Sequence, residues 1–348
     1  MKRTDVVAIT DFHGRDLSPE RELVSTAGFR LEELPTEEAL LARGDEIDAL
    51  AVRHFHVSEP LLHALTRCRI VVRYGVGYEN IPVSAATKMG MIVARVPDYC
   101  TEEVAEQALT GALLHIRRTV AYSRDVAAGT WNAQIHIPVR SDSVRLVIVG
   151  LGRIGSALAR KGLGVGFKVA AFDPFIPESA FRECGVQRLS TLDEALALAD
   201  ILSLHVPLTR PPDGHPTLRM IGAAQLEKMK PGAAIINTAR GPVIDNAALC
   251  GALESGLLGG AFLDVLEDEP KQGSLFQQGD LSTLDKLREM ENAILTPHCS
   301  FNSEQSVGRV KELGTQEINR VLQGEWPRSI AWVNPEVRDA YVARFKSS

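Results

Sequence analysis

The 348-residue chain has no long apolar run. Nothing in it approaches the roughly 20 consecutive apolar residues that a membrane-crossing helix needs, so no membrane is expected. Cysteine is scarce. Cys68, Cys100, Cys184, Cys250 and Cys299 are scattered, odd in number and without C-x-x-C spacing. That argues against a disulfide framework or a zinc site and for reduced thiols in a cytoplasmic protein. Basic residues are not in excess either. With 38 Lys and Arg against 44 Asp and Glu the formal charge is −6, so there is no electrostatic reason to expect nucleic acid as a partner. No repeat or low-complexity tract stands out, and the start MKRTDVVAIT has too short an apolar run for a signal peptide. What remains is 45% hydrophobic and 24% charged, ordinary for a globular chain. Its length favours two domains, since single cores rarely grow past about 250–300 residues.

The most informative stretch is VRLVIVGLGRIGSALAR, Val144 to Arg160. Its first six residues are apolar at nearly every position, as in a strand buried on both faces of a parallel sheet. Gly150, Gly152 and Gly155 follow in the spacing G-x-G-x-x-G, and a helix is expected to start after them, with Ile154, Ala157 and Leu158 packing back on the strand. In such a turn the first glycine permits the bend and the second lets the backbone approach a pyrophosphate. The third allows close helix–strand packing, and the helix N-terminus offers N–H donors to the phosphates. A second strand, KVAAFD, ends at Asp173, 18 residues after Gly155. A carboxylate there accepts from the ribose hydroxyls of an adenosine and repels a 2′-phosphate, which points to NAD over NADP.

The pattern before and after this unit is alternating strand and helix. Val6–Thr10, Phe29–Leu34, Ala49–Arg53, Ile70–Tyr74 and Met91–Arg95 read as strands, with amphipathic stretches such as Pro60–Thr66 between them. The spacing predicts a parallel α/β sheet. Val96-Pro97-Asp98-Tyr99 breaks the pattern, and a long helix follows to Ile116 with Thr101 as its candidate N-cap. Ala127–Ser143 has no periodicity. Asp200–Pro207, Gly232–Thr238, Gly260–Val265 and Asn292–Pro297 read as strands of a second doubly wound sheet, with helices at Gln225–Met229 and Asp245–Ser255. A last helix is expected over Ser303–Leu322, capped by Asn302 or Ser303, with Val307, Val310, Ile318 and Val321 on one face.

Ligands of open α/β sheets bind beyond the carboxyl ends of the strands, and four polar groups fall there. Arg240 closes NTARG, Asp264 lies within GAFLDV, Glu269 follows in EDEP, and His298 follows the last strand in TPH. Arginine binds a carboxylate through its planar fork and polarises a carbonyl. Histidine exchanges the proton that accompanies a hydride, and a carboxylate on its other nitrogen fixes the tautomer and favours the charged form.

Together GLGRIG, LHVPLT, NTARG, LDVLEDEP and TPH resemble the D-isomer-specific 2-hydroxyacid dehydrogenase family over nearly the whole chain, about Val52 to Leu322. The resemblance implies two doubly wound parallel-sheet domains: an NAD-binding Rossmann domain, 101–297, inserted in a flavodoxin-like substrate domain, 1–100 and 298–348. It implies Arg240, Glu269 and His298 as catalytic residues interconverting a 2-oxo acid and a D-2-hydroxy acid, and a homodimer built through the NAD-binding domains. The cofactor contacts it implies are Gly150, Gly152, Arg153, Ile154, Gly155, Asp173, Val206, Pro207, Thr238, Ala239 and Asp264. RIVVRYGVGYENIP and HCSFNSEQ are most similar to the branch of C-terminal binding proteins, dehydrogenase-like corepressors. That similarity assigns Arg73 and the backbone of Val76 and Gly77 to the substrate carboxylate, where glycine lets N–H groups approach an anion. It also sets Phe301 where that branch has tryptophan; three residues after His298, Phe301 is placed either to meet the substrate's side chain or to seal the last helix against its domain.

Three other readings stand beside this one. An NAD(H)-sensing, corepressor-like interaction protein would share the same residues, and a dehydrogenase for phosphorylated substrates would use Arg53. His54 and His56 share a strand face but have no third ligand nearby in sequence, so no metal is expected. Cys299 reads as a small buried thiol beside His298, because adjacent residues rarely face each other. The stretch 271–295 is longer than the family's usual loop and reads as an insertion, with a lid or a dimer contact as the alternatives. Glu269 separates the chain from formate dehydrogenases, which resemble this family but carry glutamine at that position.

Overall fold

The structure, a computed structural model, describes residues 3–11, 16–212, 214–270 and 282–346. The chain divides into two compact units, residues 1–100 with 303–348 and residues 101–302. Among the described residues no helix is long and apolar enough to cross a membrane. Each unit is a parallel sheet flanked by helices.

The first unit holds β1 (Val6–Ile9), β2 (Arg30–Glu33), β3 (Ala49–Val52), β4 (Ile70–Arg73) and β5 (Ile92–Arg95) in the order β2-β1-β3-β4-β5, all parallel. This is the flavodoxin-like order. One sheet face packs Ala8, Leu50, Val52, Val71 and Val93 into a core with Leu61, Leu62 and Leu65 from the Glu59–Ala64 helix and its end. Apolar residues run almost without a break along β1, β3, β4 and β5, as in strands covered on both faces, whereas the edge strand β2 reads RLEE with only Leu31 buried.

Among the described residues the second unit holds seven strands: β6 (Arg145–Val149), β7 (Lys168–Phe172), β8 (Gln187–Arg188), β9 (Ile201–Leu204), β10 (Ala233–Asn237), β11 (Leu258–Leu263) and β12 (Ala293–Leu295). Their order is β12-β11-β10-β9-β6-β7-β8. The first six strands in sequence reproduce the dinucleotide-binding order, with the switch point between β6 and β9. Side chains of the central strands alternate across this sheet. Val147, Val149, Leu202, Leu204 and Ile235 enter one core, while Leu146, Ile148, Ile201, Ala234 and Ile236 enter the other. The Thr101–Arg117 helix covers the second face so closely that a Cβ on Gly111 would lie 2.5 Å from the Phe262 ring.

Sequence and structure differ in detail. Thr101 is the first helical residue, not the cap before the helix. The Glu304–Leu322 helix is capped by Ser303, whose hydroxyl accepts from Ser306 N at 2.9 Å, and Val307 is only half-buried on its face. The expected boundary at 298 falls five residues early, because the loop 298–302 is tied by hydrogen bonds to β11. Of the expected insertion, 271–281 lie outside the described residues, and Ser282–Glu289 is a helix.

The end of the chain gave no periodic signal, yet it is ordered. Ala94 bridges Trp332 antiparallel, and the buried Asn334 side chain accepts from Val93 N at 2.8 Å and donates to Met91 O at 3.0 Å. This strap closes the open edge of β5, which would otherwise present unpaired backbone groups.

Candidate active site

At the carboxyl end of β6 the glycine turn is built as the spacing required. Gly150 has φ +93, and a Cβ on it would sit 2.7 Å from His205 O. A Cβ on Gly155 would lie 2.1 Å from Gly150 O, a backbone clash that no side-chain rotation relieves. Gly152, by contrast, caps the Arg153–Gly164 helix with nothing within 4 Å of its Cβ position. The turn therefore leaves an open approach to the helix N-terminus, as a pyrophosphate needs. Asp173 follows β7 half-buried, its Oδ2 accepting from Leu151 N at 2.9 Å and its Oδ1 from Phe175 N at 3.0 Å. The carboxylate is thus fixed beside the glycine turn. These features fit a dinucleotide. Arg153 and Ile154 open the helix, and Val206 and Pro207 follow β9 across the switch point.

His205, which the sequence reading passed over, lies in the same crevice. Its Nε2 is 2.8 Å from Ser203 Oγ, and burial lowers its pKa to about 4. The imidazole is neutral at neutral pH.

After β10, Asn237 organises the next turn. Its Nδ2 donates to Arg240 O at 2.9 Å and its Oδ1 accepts from Ala239 N at 3.0 Å. Thr238 and Ala239 are buried, and Arg240 is half-buried with its Nη1 donating to Ala239 O at 2.7 Å. Gly241 is required here, because a Cβ would lie 1.8 Å from Leu266 O. That contact brings the loop after β10 against the loop after β11.

The loop after β11 carries Glu269. Its Oε1 accepts from Leu266 N at 3.2 Å, and its Oε2 meets His298 Nδ1 at 2.7 Å. Asp264, 2% exposed, accepts from Thr296 Oγ1 at 2.5 Å and Cys299 N at 2.9 Å on one oxygen, and from Ser300 N at 2.9 Å on the other. Its own carbonyl accepts from His298 N at 2.8 Å. His298 adopts φ +49, a left-handed conformation uncommon for any residue but glycine. Asp264 therefore acts as the anchor of the 298–300 loop. Phe301 is half-buried, its ring centroid 6.3 Å from that of His298 in an edge-on arrangement. Burial, and then the Asp264 carboxylate, hold the Cys299 thiol above its usual pKa, which disfavours a nucleophilic thiolate.

In the first unit, Arg73 ends β4 and is half-buried. Its guanidinium folds back over its own loop, with Nη1 3.4 Å from Tyr74 O. A Cβ on Gly75, whose φ is +156, would fall 1.3 Å from that nitrogen. Val76 and Gly77 follow in the same loop. Tyr74 is buried, its hydroxyl 2.8 Å from Thr315 Oγ1.

A glycine turn open at a helix N-terminus, a carboxylate after the second strand and a carboxylate-paired histidine define an NAD-binding oxidoreductase. Residues 109–300 match the D-isomer specific 2-hydroxyacid dehydrogenase, NAD binding domain family, and the chain belongs to that family. It is 35% identical over 308 residues to a glyoxylate reductase of Korarchaeum cryptofilum, covering 87% of each chain. It is 36% identical over 298 residues to a D-3-phosphoglycerate dehydrogenase of Synechocystis, covering 84% of this chain but 51% of that one. A D-lactate dehydrogenase from Aquifex aeolicus, solved with NAD and lactic acid, superposes with a TM-score of 0.78 at 26% identity and 98% coverage of both chains.

If Asp264 anchors the loop, Asp264→Asn should destabilise the protein by about 1–3 kcal/mol, because the amide turns a donor toward backbone N–H groups. Thermal denaturation measures this. An unchanged melting temperature with unchanged turnover would refute the anchoring role.

Proposed function

We propose that the protein interconverts a small 2-oxo acid and its D-2-hydroxy acid, with Arg240, Glu269 and His298 as the catalytic set. The observation that carries the reading is the 2.7 Å contact between His298 Nδ1 and Glu269 Oε2, on a loop held by Asp264. With Nδ1 engaged by a carboxylate, Nε2 is the ring nitrogen available to a substrate oxygen. Bound NAD(H) supplies or accepts the hydride. In the direction of reduction, negative charge develops on the keto oxygen. The Arg240 guanidinium stabilises that charge, and protonated His298 delivers the proton. Arg73 and the Val76–Gly77 backbone hold the substrate carboxylate. The names of the relatives, glyoxylate reductase, D-3-phosphoglycerate dehydrogenase and D-lactate dehydrogenase, support a small 2-hydroxy acid.

His298→Ala should lower kcat by about 10²–10⁴-fold with little change in KM, the usual loss for a general acid. Glu269→Gln should give a smaller loss in the same direction, with the fold intact. Steady-state kinetics with glyoxylate and NADH measure both. A His298→Ala kcat within threefold of the wild type would exclude the acid–base role.

Asp173 is proposed to bind the adenosine ribose and to exclude NADP(H) by charge repulsion. Asp173→Ala should therefore erode the preference for NADH over NADPH, read as the ratio of kcat/KM values. Equal use of both cofactors by the unaltered protein would refute the assignment.

The second unit is also proposed to pair with a second copy of the chain. Trp131 and Ile137 are 89% and 87% exposed on a segment that is nonetheless ordered. Tyr122 Oη lies 2.8 Å from both Ala133 O and His136 O, its one proton going to either, and His136 Nε2 lies 2.8 Å from Asp125. An ordered segment that points large apolar groups outward marks an interaction surface. Sedimentation should give a dimer that Trp131→Glu with Ile137→Glu converts to monomer. A monomeric unaltered protein would count against the pairing.

A further inference from the structure

Arg95 ends β5 in register with Arg73 at the end of β4. Register partners in neighbouring strands sit about 4.8 Å apart, so two cations stand side by side at this sheet edge. The Arg95 guanidinium has two contacts. Its Nη1 donates to Val76 O at 3.1 Å, and its carbon lies 5.3 Å from the Tyr78 ring centroid. The backbone around it is fixed as well. Arg95 N donates to Ala331 O of the C-terminal strap at 2.9 Å, and Val96 N donates to Gly75 O at 3.0 Å.

The contact with Val76 O has a stereochemical consequence. The peptide between Val76 and Gly77 is planar and trans, so its C=O and its N–H point in opposite directions. A guanidinium on the oxygen therefore turns the Gly77 N–H to the other side of the loop. A cation on the carbonyl also draws electron density from the amide, making that N–H a stronger donor. Stacking on Tyr78 restricts the guanidinium to the orientation that does this. Among the described residues neither Val76 N nor Gly77 N donates to another backbone group.

From this geometry we infer that Arg95 is a positioning residue of the substrate-anion site. It sets how tightly the Gly77 amide holds the substrate carboxylate, without touching the substrate itself. The inference rests on the reading above that the Arg73–Gly77 loop receives that carboxylate.

The test uses the full-length protein with NADH, glyoxylate as substrate and oxamate as a non-reacting carboxylate. Arg95→Met should raise the glyoxylate KM and the oxamate Ki in parallel, by roughly tenfold, as expected on losing a charge-assisted contact. The change in kcat should stay within about threefold, with NADH affinity unchanged. Arg95→Gln keeps a donor without the charge and should fall between the two. Tyr78→Leu leaves Arg95 in place and should give a smaller rise in the same direction, which keeps the test open if Arg95→Met does not fold. An oxamate Ki unchanged in Arg95→Met but raised in Arg73→Met would overturn the role of Arg95 alone. A Ki unchanged in both would overturn the carboxylate reading of the loop and this inference with it.

Discussion

The buried carboxylate of Asp264 is the constraint on which the reactive end of the second unit depends. An ionised carboxylate buried to this extent is tolerated only where hydrogen bonds replace the water it has lost. Here a threonine hydroxyl and two consecutive amides do so. Those amides follow His298, so satisfying Asp264 also bends the chain into the left-handed conformation at that residue. The strain is local, of the order of 1–3 kcal/mol for such a position. It is offset by bonds made one and two residues further on. The imidazole then meets Glu269 at 2.7 Å because both loops leave neighbouring strands, β11 and β12, at the same edge of the sheet.

Close backbone approach does the rest of the positioning. Gly241 lets the Arg240 turn press against Leu266 O, and Gly155 lets its helix start under Gly150 O. In both places the obstructing atom is a backbone carbonyl, of the loop after β11 for Gly241 and of the glycine turn itself for Gly155. A side chain there would shift the turn itself, and with it the direction in which Arg240 or the helix N-terminus points. These glycines therefore hold geometry, whereas Gly152 keeps space free.

Much of this was legible in the sequence, for identifiable reasons. Strands covered on both faces need apolar residues at successive positions, so β6, β9 and β10 stand out as short continuous runs. The glycine turn was legible because its spacing answers several steric demands at once. Arg240, Glu269 and His298 were visible as polar groups just beyond strand ends. The function of Asp264 as an anchor was not, since its partners are mostly backbone amides, which every residue has. The Thr119–Ala127, Glu178–Cys184 and Leu192–Leu198 helices escaped notice because segments of two or three turns carry too few residues to show a period. The strap at 328–334 escaped for another reason. Its stability comes from Asn334 and from Arg328, which pairs with Glu317 and with Asp98, contacts between residues far apart in the chain.

Arg240 and Arg95 are tethered in a common way. Each guanidinium is engaged by a main-chain carbonyl, Ala239 O for Arg240 and Val76 O for Arg95. A free arginine carries about 2 kcal/mol of rotamer entropy, which binding an anion would have to overcome. One that is already hydrogen-bonded to its own or a neighbouring loop has lost most of that freedom before any ligand arrives. The direction of its charge is then set by the fork, toward the keto oxygen in the role proposed for Arg240 and onto the Val76–Gly77 peptide in that proposed for Arg95. Lysine offers charge without that directionality, and neither position carries it. Tethering the guanidinium to backbone thus fixes a charge in direction as well as in place, and it does so by the same means in both units.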